Sequence, residues 1–293
     1  MNNSVHRRFT AVACAARAAT GKLPPMGAVI RWVEPQMREP LAAAGLRDYG
    51  DFVDTSLGVI VSQSGTTRTR RIAIEAGGRR ETLFLKRYRY AGPRRRWRWA
   101  VDKARVEARN FERLRSRCGL NTPDVIAYGV HRRGVRLLDA FLLTRAVEGA
   151  VGLDEWPLAP TPPGAMARLM RAVAGAVARM HAAHFYHFDL QWRNLLIRPA
   201  GDGFDVIPID SSRGGPLRTR WGRAHGRMRD LAQLDKLARQ RLTRTQRLRW
   251  LTYYLGRRRL SAADRALVRE VTRYLDGKLT PEREAVSDQP RGC

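Results

Sequence analysis

The sequence predicts an α+β chain in two parts: a small, antiparallel, β-rich N-terminal lobe with one main helix, and a larger, helical C-terminal lobe. Three observations predict it. Residues 55–90 and 122–147 hold short runs rich in β-branched and aromatic residues, punctuated by glycine. A single amphipathic stretch lies between those two regions. Beyond residue 150 the apolar residues recur mainly at helical spacing, interrupted once by a short hairpin pattern.

Each element follows in order. Residues 1–25, closing on "KLPP", read as a flexible N-terminal tail; their apolar patch is short and broken by Arg17, which speaks against a secretion signal. Residues 26–54 hold the short amphipathic pieces "VIRWV" and "PLAAAGLRDYGDFV", expected to form a capping segment. Residues 55–149 are the expected N-terminal lobe. There "LGVIVSQSG", "TRRIAIEAGG" and "RETLFLKRYRY" read as three antiparallel strands, with a tight hairpin at "EAGGRRE". "WAVDKARVEARNFERLRSRCG" is the helix, with Val106, Asn110 and Leu114 near one face and Gly119 as its stop. "TPDVIAYGVHRRGVRLLDAFLLTRAV" supplies two or three more strands. Residues 150–293 are the expected C-terminal lobe. It opens with the long helix "PPGAMARLMRAVAGAVARMHAAHF", proline near its start. "NLLIRP" and "DVIPID" then flank "AGDG" as a hairpin that ends on an aspartate, and "GRMRDLAQLDKLARQR", "RTQRLRWLTYYLG" and "SAADRALVREVTRYLDG" read as helices.

Composition narrows the function class. The chain has 293 residues, 44% of them hydrophobic, enough for one large domain or two lobes with a real core. A formal charge of +28 favours an anionic partner: nucleic acid, an anionic membrane surface or a phosphorylated substrate. Arginine is the default cation; the lysines are Lys22, Lys86, Lys103, Lys236 and Lys278. Cys14, Cys118 and Cys293 are odd in number and form no C-x-x-C pair, which disfavours a zinc site or a disulfide framework and suits a reducing compartment. No apolar run approaches the roughly 20 residues of a membrane span.

On this map the polar residues fall in a meaningful order. Lys86 is in the third strand and Glu107 in the following helix, with Glu112 as the alternative to Glu107. Asp189 and Asn194 are in a loop before the hairpin, and Asp210 is at its end. Singly, these are turn caps, a strand-edge charge and a solvated helix position. Together they match the needs of phosphoryl transfer, which is mostly positioning and electrostatics. Asp189 would orient an acceptor hydroxyl and take its proton. Asn194 and Asp210 offer the oxygen ligands that magnesium prefers. Lys86 would grip phosphates as a compact cation, held in place by a carboxylate. His181, His184 and His187 are spaced by three but lack a carboxylate motif, so zinc is not expected there. His187 is expected to brace the loop.

The motifs carry a resemblance. "HFDLQWRNLLI" resembles the protein-kinase catalytic loop H-R-D-x-x-x-x-N, "LFLKRY" the strand bearing the kinase lysine, and "PID", with Asp210 sixteen residues after Asn194, the position of D-F-G. Over roughly residues 55–255 the chain more closely resembles the Kdo/WaaP family of lipopolysaccharide core kinases of Gram-negative bacteria. The likeness runs through "LFLKRYRY", "EARNFERLRSRCGLNTPDVIAYG", "FLLTRAVEGAVGL", "MHAAHFYHFDLQWRNLLI", "IDSSRGG" and "RMRDLAQLDKLARQRL".

The resemblance implies a two-lobed protein-kinase-like fold and ATP-dependent phosphorylation of a heptose or Kdo hydroxyl in the lipopolysaccharide inner core. It implies Asp189 as catalytic base acting with Lys86. It also implies Mg2+ on Asn194 and Asp210, and ATP held by Lys86, Glu107, Gly58 and Gly65. The implied partners are a lipid-linked core oligosaccharide and, for the basic-aromatic run "KRYRYAGPRRRWRW" with Trp97 and Trp99, an anionic inner-membrane surface. The protein is further expected to be a monomer, peripheral to the cytoplasmic face of the inner membrane, with nucleic acid not expected as a partner. The chain departs from the pattern at Phe188, which stands where kinases have arginine, and at Ser211-Ser212 in place of F-G. It has no G-x-G-x-x-G, only Gly58 and Gly65 in the right region. These departures keep two alternatives open: a catalytically weak pseudokinase or basic adaptor at a membrane or nucleic acid, and a kinase with a protein or small-molecule acceptor.

Overall fold

A computed structural model describes residues 26–90, 101–156 and 164–287, with side chains to residue 277. The expected tail of residues 1–25, Trp97 and Trp99 lie outside the described residues. The chain divides into two compact units, Met1–Arg109 with Pro123–Glu148, and Asn110–Thr122 with Gly149–Cys293.

The first unit is built on a six-stranded antiparallel sheet. Its strands are β1 (Ala28–Val33), β2 (Val59–Gln63), β3 (Thr67–Ala76), β4 (Arg79–Arg89), β5 (Val125–Arg133) and β6 (Arg136–Arg145), in the order β1-β5-β6-β4-β3-β2. "VIRWV", read from sequence as an amphipathic piece, is an edge strand on β5. Helices α1 (Arg38–Ala43) and α2 (Tyr49–Asp54) follow it. Met37, Leu41, Leu46, Tyr49 and Phe52 from this segment pack with Ile72, Leu83, Leu85, Ile126, Phe141 and Leu143 of the sheet as one core. Phe52 stacks on Phe141 with ring centroids 4.4 Å apart. Burying such side chains contributes about 1.5–3 kcal/mol each, so residues 28–54 are integral to this core. The β3–β4 hairpin turns on Gly77 and Gly78, both at positive φ, as a two-residue turn with inverted twist requires.

Helix α3 (Lys103–Cys118) runs from the first unit into the second, the division falling after Arg109. Asp102 caps it, accepting from the Arg105 amide at 3.1 Å.

The second unit begins with β7 (Val151–Gly152) and α4 (Ala165–Ala182), followed by β8 (Phe185–Tyr186), β9 (Leu195–Ala200), β10 (Gly203–Pro208) and β11 (Gly215–Pro216). Strands β9 and β10 form the hairpin expected from "NLLIRP" and "DVIPID", and β7 adds to β9. Three helices complete the unit, α5 (Arg220–Arg241), α6 (Arg244–Leu255) and α7 (Ala262–Ser287). A capping box at Thr243 and Gln246 opens α6, and Gly256 in the left-handed region closes it. The buried stripe of α4, including Leu169, Val173, Val177 and Met180, forms the centre of this unit. Among the described residues no helix is long and apolar enough to cross a membrane.

Candidate active site

In the first unit, Lys86 and Tyr88 lie two residues apart on β4 and so share one face. Lys86 Nζ is 3.2 Å from Glu107 Oε2 and 3.4 Å from Oε1. The Tyr88 hydroxyl also donates to Glu107 Oε2, and Lys86 Nζ lies 5.2 Å from the Tyr88 ring centroid. Glu107 is only 3% exposed, a depth at which a carboxylate must be paired and hydrogen-bonded. Glu112, the alternative partner, is exposed and belongs to the second unit.

The two glycines differ in role. Gly65 sits in the β2–β3 turn, with open space where a Cβ would be, and Ser64 Oγ braces that turn by accepting from Thr66 N at 3.4 Å and Thr67 N at 3.1 Å. Gly58 precedes β2 at φ +66°, and a Cβ there would lie 2.0 Å from the Arg71 carbonyl oxygen. Gly58 is therefore demanded by chain path.

In the second unit, His187–Asn194 forms a loop held from several sides. The amides of His187 and Phe188 each donate to the Asp230 carboxylate at 2.7 Å. His181 Nε2 lies 3.3 Å from the same group, and Asp230 is fully buried. Phe188 is at φ +62°, rare for a bulky residue. The paired amides favour that backbone turn, and Arg229 lies over the Phe188 ring, 5.4 Å from its centroid. His187 Nε2 donates to the Ile209 carbonyl at 2.9 Å, which joins the loop to the end of the β9–β10 hairpin. Asn194 Nδ2 donates to the Asp189 carbonyl at 2.8 Å, and Gln191 Nε2 donates to Asp189 Oδ1 at 2.7 Å. Trp192 Nε1 donates to the Leu234 carbonyl of α5 at 2.9 Å.

Asp210 follows β10 at φ +54°, with Ser212 Oγ donating to its Oδ1 at 3.4 Å. Buried Asn110 donates both amide hydrogens onward, to the carbonyls of Ser211 at 2.7 Å and Gly214 at 2.8 Å. The chain then pairs β11 with β8, Leu217 N donates to the His184 carbonyl at 3.0 Å, and Thr219 caps α5.

Asn194 turns its Nδ2 toward the Asp189 carbonyl, which leaves Oδ1 as its atom suited to a metal. Asn194 Oδ1 and the Asp210 carboxylate are oxygen donors of the hard kind that Mg2+ prefers, and they are the residues here that would hold it. Among the described residues no group of three or more His, Cys, Asp or Glu could hold a metal on its own.

Thus Lys86 and Glu107 are in contact within one unit, and Asp189 and Asn194 are hydrogen-bonded within the other, with Asp210 joined to them through Ile209. Sequence reasoning missed Tyr88, Asn110, Gln191 and Asp230. The available signal for Asp230 was an acid placed among Met228, Leu231 and Leu234, on the stripe of α5 that is buried.

Residues 66–254 match the model of the lipopolysaccharide kinase (Kdo/WaaP) family. A solved structure of WaaP in complex with acyl carrier protein is similar with a TM-score of 0.58 and 25% identity, covering 86% of this chain and 98% of that one. A double mutant of the Mycobacterium tuberculosis PknI kinase domain shows 14% identity and a TM-score of 0.36, covering 69% of this chain and 73% of that one. Among curated proteins none matches the sequence. The family match spans well over half of the chain and includes Lys86, Glu107, Asp189, Asn194 and Asp210; with its two-lobed, kinase-like α+β fold, the chain belongs to the lipopolysaccharide kinase (Kdo/WaaP) family.

Proposed function

We propose that the chain transfers the γ-phosphoryl group of ATP to a heptose or Kdo hydroxyl of the lipopolysaccharide inner core. The observation that supports this most is the fixed geometry of Asp189: its own carbonyl is held by Asn194, and its Oδ1 by Gln191. Oδ2 is then the oxygen that meets the acceptor. The hydroxyl oxygen attacks the γ-phosphorus, the bond to the β,γ-bridging oxygen breaks, ADP leaves, and Asp189 takes the hydroxyl proton. Lys86, oriented by Glu107, binds the α- and β-phosphates, and the β2–β3 turn with Gly65 covers them. Mg2+ bound with the nucleotide would supply positive charge at the phosphates, with Asn194 and Asp210 as its protein ligands.

The acceptor in this reading is lipid-linked and anionic, and a chain of formal charge +28 is drawn to the anionic cytoplasmic face of the inner membrane. The relative solved with acyl carrier protein makes such a carrier a candidate partner here as well. The test is transfer from labelled ATP to lipopolysaccharide precursors, with protein and small-sugar controls. Asp189→Ala is expected to abolish transfer while keeping the wild-type melting temperature. Full activity in that variant would sink the mechanism.

A further inference from the structure

We infer that a polar pocket beside the His187–Asn194 loop is the acceptor subsite, and that it takes a polyhydroxylated sugar carrying a carboxylate or phosphate next to the reacting ring. This rests on the kinase reading above and names which part of the protein recognises the acceptor. The pocket lies wholly in the second unit, has a volume of about 270 Å3, and is lined by Asp154, Gln191, Arg193, Gln233, Lys236 and Gln240, with Trp192 among its apolar contributions. That volume is just under the lower bound, about 300 Å3, of ordinary small-molecule sites. It suits one sugar unit of a larger chain.

Three features favour a sugar. First, three of the lining side chains are primary amides, each both donor and acceptor, as vicinal hydroxyls require. Asp154 adds a further acceptor. Second, Gln233, Lys236 and Gln240 stand at i, i+3 and i+7 on α5, one continuous helical face. Third, the pocket adjoins the proposed base directly: Gln191 lines it and donates to Asp189 Oδ1 at 2.7 Å.

The pocket is also rigidly tied to that base. Helix α5 receives Trp192 Nε1 on the Leu234 carbonyl at 2.9 Å, and its Asp230 binds the His187 and Phe188 amides. A ligand on this face of α5 is therefore in fixed register with Asp189, the condition for a productive reacting geometry. Charge specifies the rest. Lys236 and Arg193 are exposed lining residues, and Lys236 is one of only five lysines in an arginine-dominated chain. Its compact ammonium suits a single carboxylate or phosphate oxygen.

The test uses the full chain and three lipid-free core oligosaccharides: one intact, one stripped of phosphate with hydrogen fluoride, and one with its sugar-acid carboxyl reduced. Gln233→Ala and Gln240→Ala are expected to raise the acceptor KM about tenfold on all three, with KM for ATP unchanged. Lys236→Ala is expected to raise it on the intact acceptor, and to lose that effect on whichever stripped acceptor lacks the recognised anion. That arm separates phosphate from carboxylate. An equal effect on all three acceptors would overturn the anionic part. Wild-type acceptor KM in the glutamine variants, with transfer intact, would overturn the subsite and leave the kinase reading standing. If the wild type transfers phosphate to none of the three, the kinase reading fails. Calorimetric titration of the intact oligosaccharide then decides the pocket alone: binding lost in both glutamine variants supports it, and no wild-type binding overturns it.

Discussion

Asp230→Asn tests whether the buried carboxylate of α5 sets the position of Asp189. Asp230 accepts two backbone amides at 2.7 Å, both from a loop in which Phe188 sits at φ +62°. Hydrogen bonds to a charged group contribute about 1.5–3 kcal/mol each, so removing the carboxylate with alanine withdraws roughly 3–6 kcal/mol. Asparagine keeps the shape and one acceptor oxygen, and turns an NH2 donor toward the other amide. Half of that sum, about 1.5–3 kcal/mol, is the expected loss in urea unfolding. The left-handed turn at Phe188 itself costs on the order of 1–3 kcal/mol and relaxes once one amide is released. Asp189, the proposed base, is the next residue, and a misplacement of about 1 Å at a catalytic group can cost about 100-fold in rate. Single-turnover transfer should therefore fall about 100-fold in Asp230→Asn, with the KM for ATP near wild type. Wild-type turnover in a variant that has lost stability would refute the link between this carboxylate and the position of Asp189.

Three further outcomes follow from the geometry. Lys86→Met leaves the buried Glu107 without its ammonium and should destabilise by about 3 kcal/mol, the low end for a broken buried pair, whereas Lys86→Met with Glu107→Leu should recover part of that loss in urea titrations. Gly58→Ala should cost about 1–3 kcal/mol, because its Cβ would meet the Arg71 carbonyl at 2.0 Å in a left-handed conformation, while Gly65→Ala should stay within about 0.5 kcal/mol by thermal unfolding. Burial pushes the Cys118 thiol up to about 11. The group is therefore the neutral thiol at pH 7.5 and below, and its alkylation by iodoacetamide, read by peptide-level mass spectrometry, should remain slow there and accelerate only as the pH rises toward that value.

Much of the fold was legible because local chemistry and tertiary structure agree. "EAGG" dictates its own turn through two positive-φ glycines, and the β9–β10 hairpin is likewise bounded by its turn residues. "VIRWV" was harder. Its pairing with β5 joins residues about 100 positions apart, and nothing local in five mixed residues announces that partner. The candidate site divides the same way. Asp189, Asn194 and Lys86 stand out because their spacing in sequence is itself the signal. Asp230, Asn110 and Tyr88 act on groups far along the chain, so their meaning exists only once helix and strand faces are known. Gly58 and Gly65 looked alike in sequence, and only the approach of the Arg71 carbonyl tells them apart.

The stretch between Asp210 and the start of α5 is nine residues long and held along most of its length, by Asn110 at Ser211 and Gly214, by β8 at Gly215–Pro216, and by His184 at Leu217. It has no slack to swing out and return. A stretch tied down this way takes its shape as the second unit folds, so its order is written into the fold itself and needs no later chemical mark to create it.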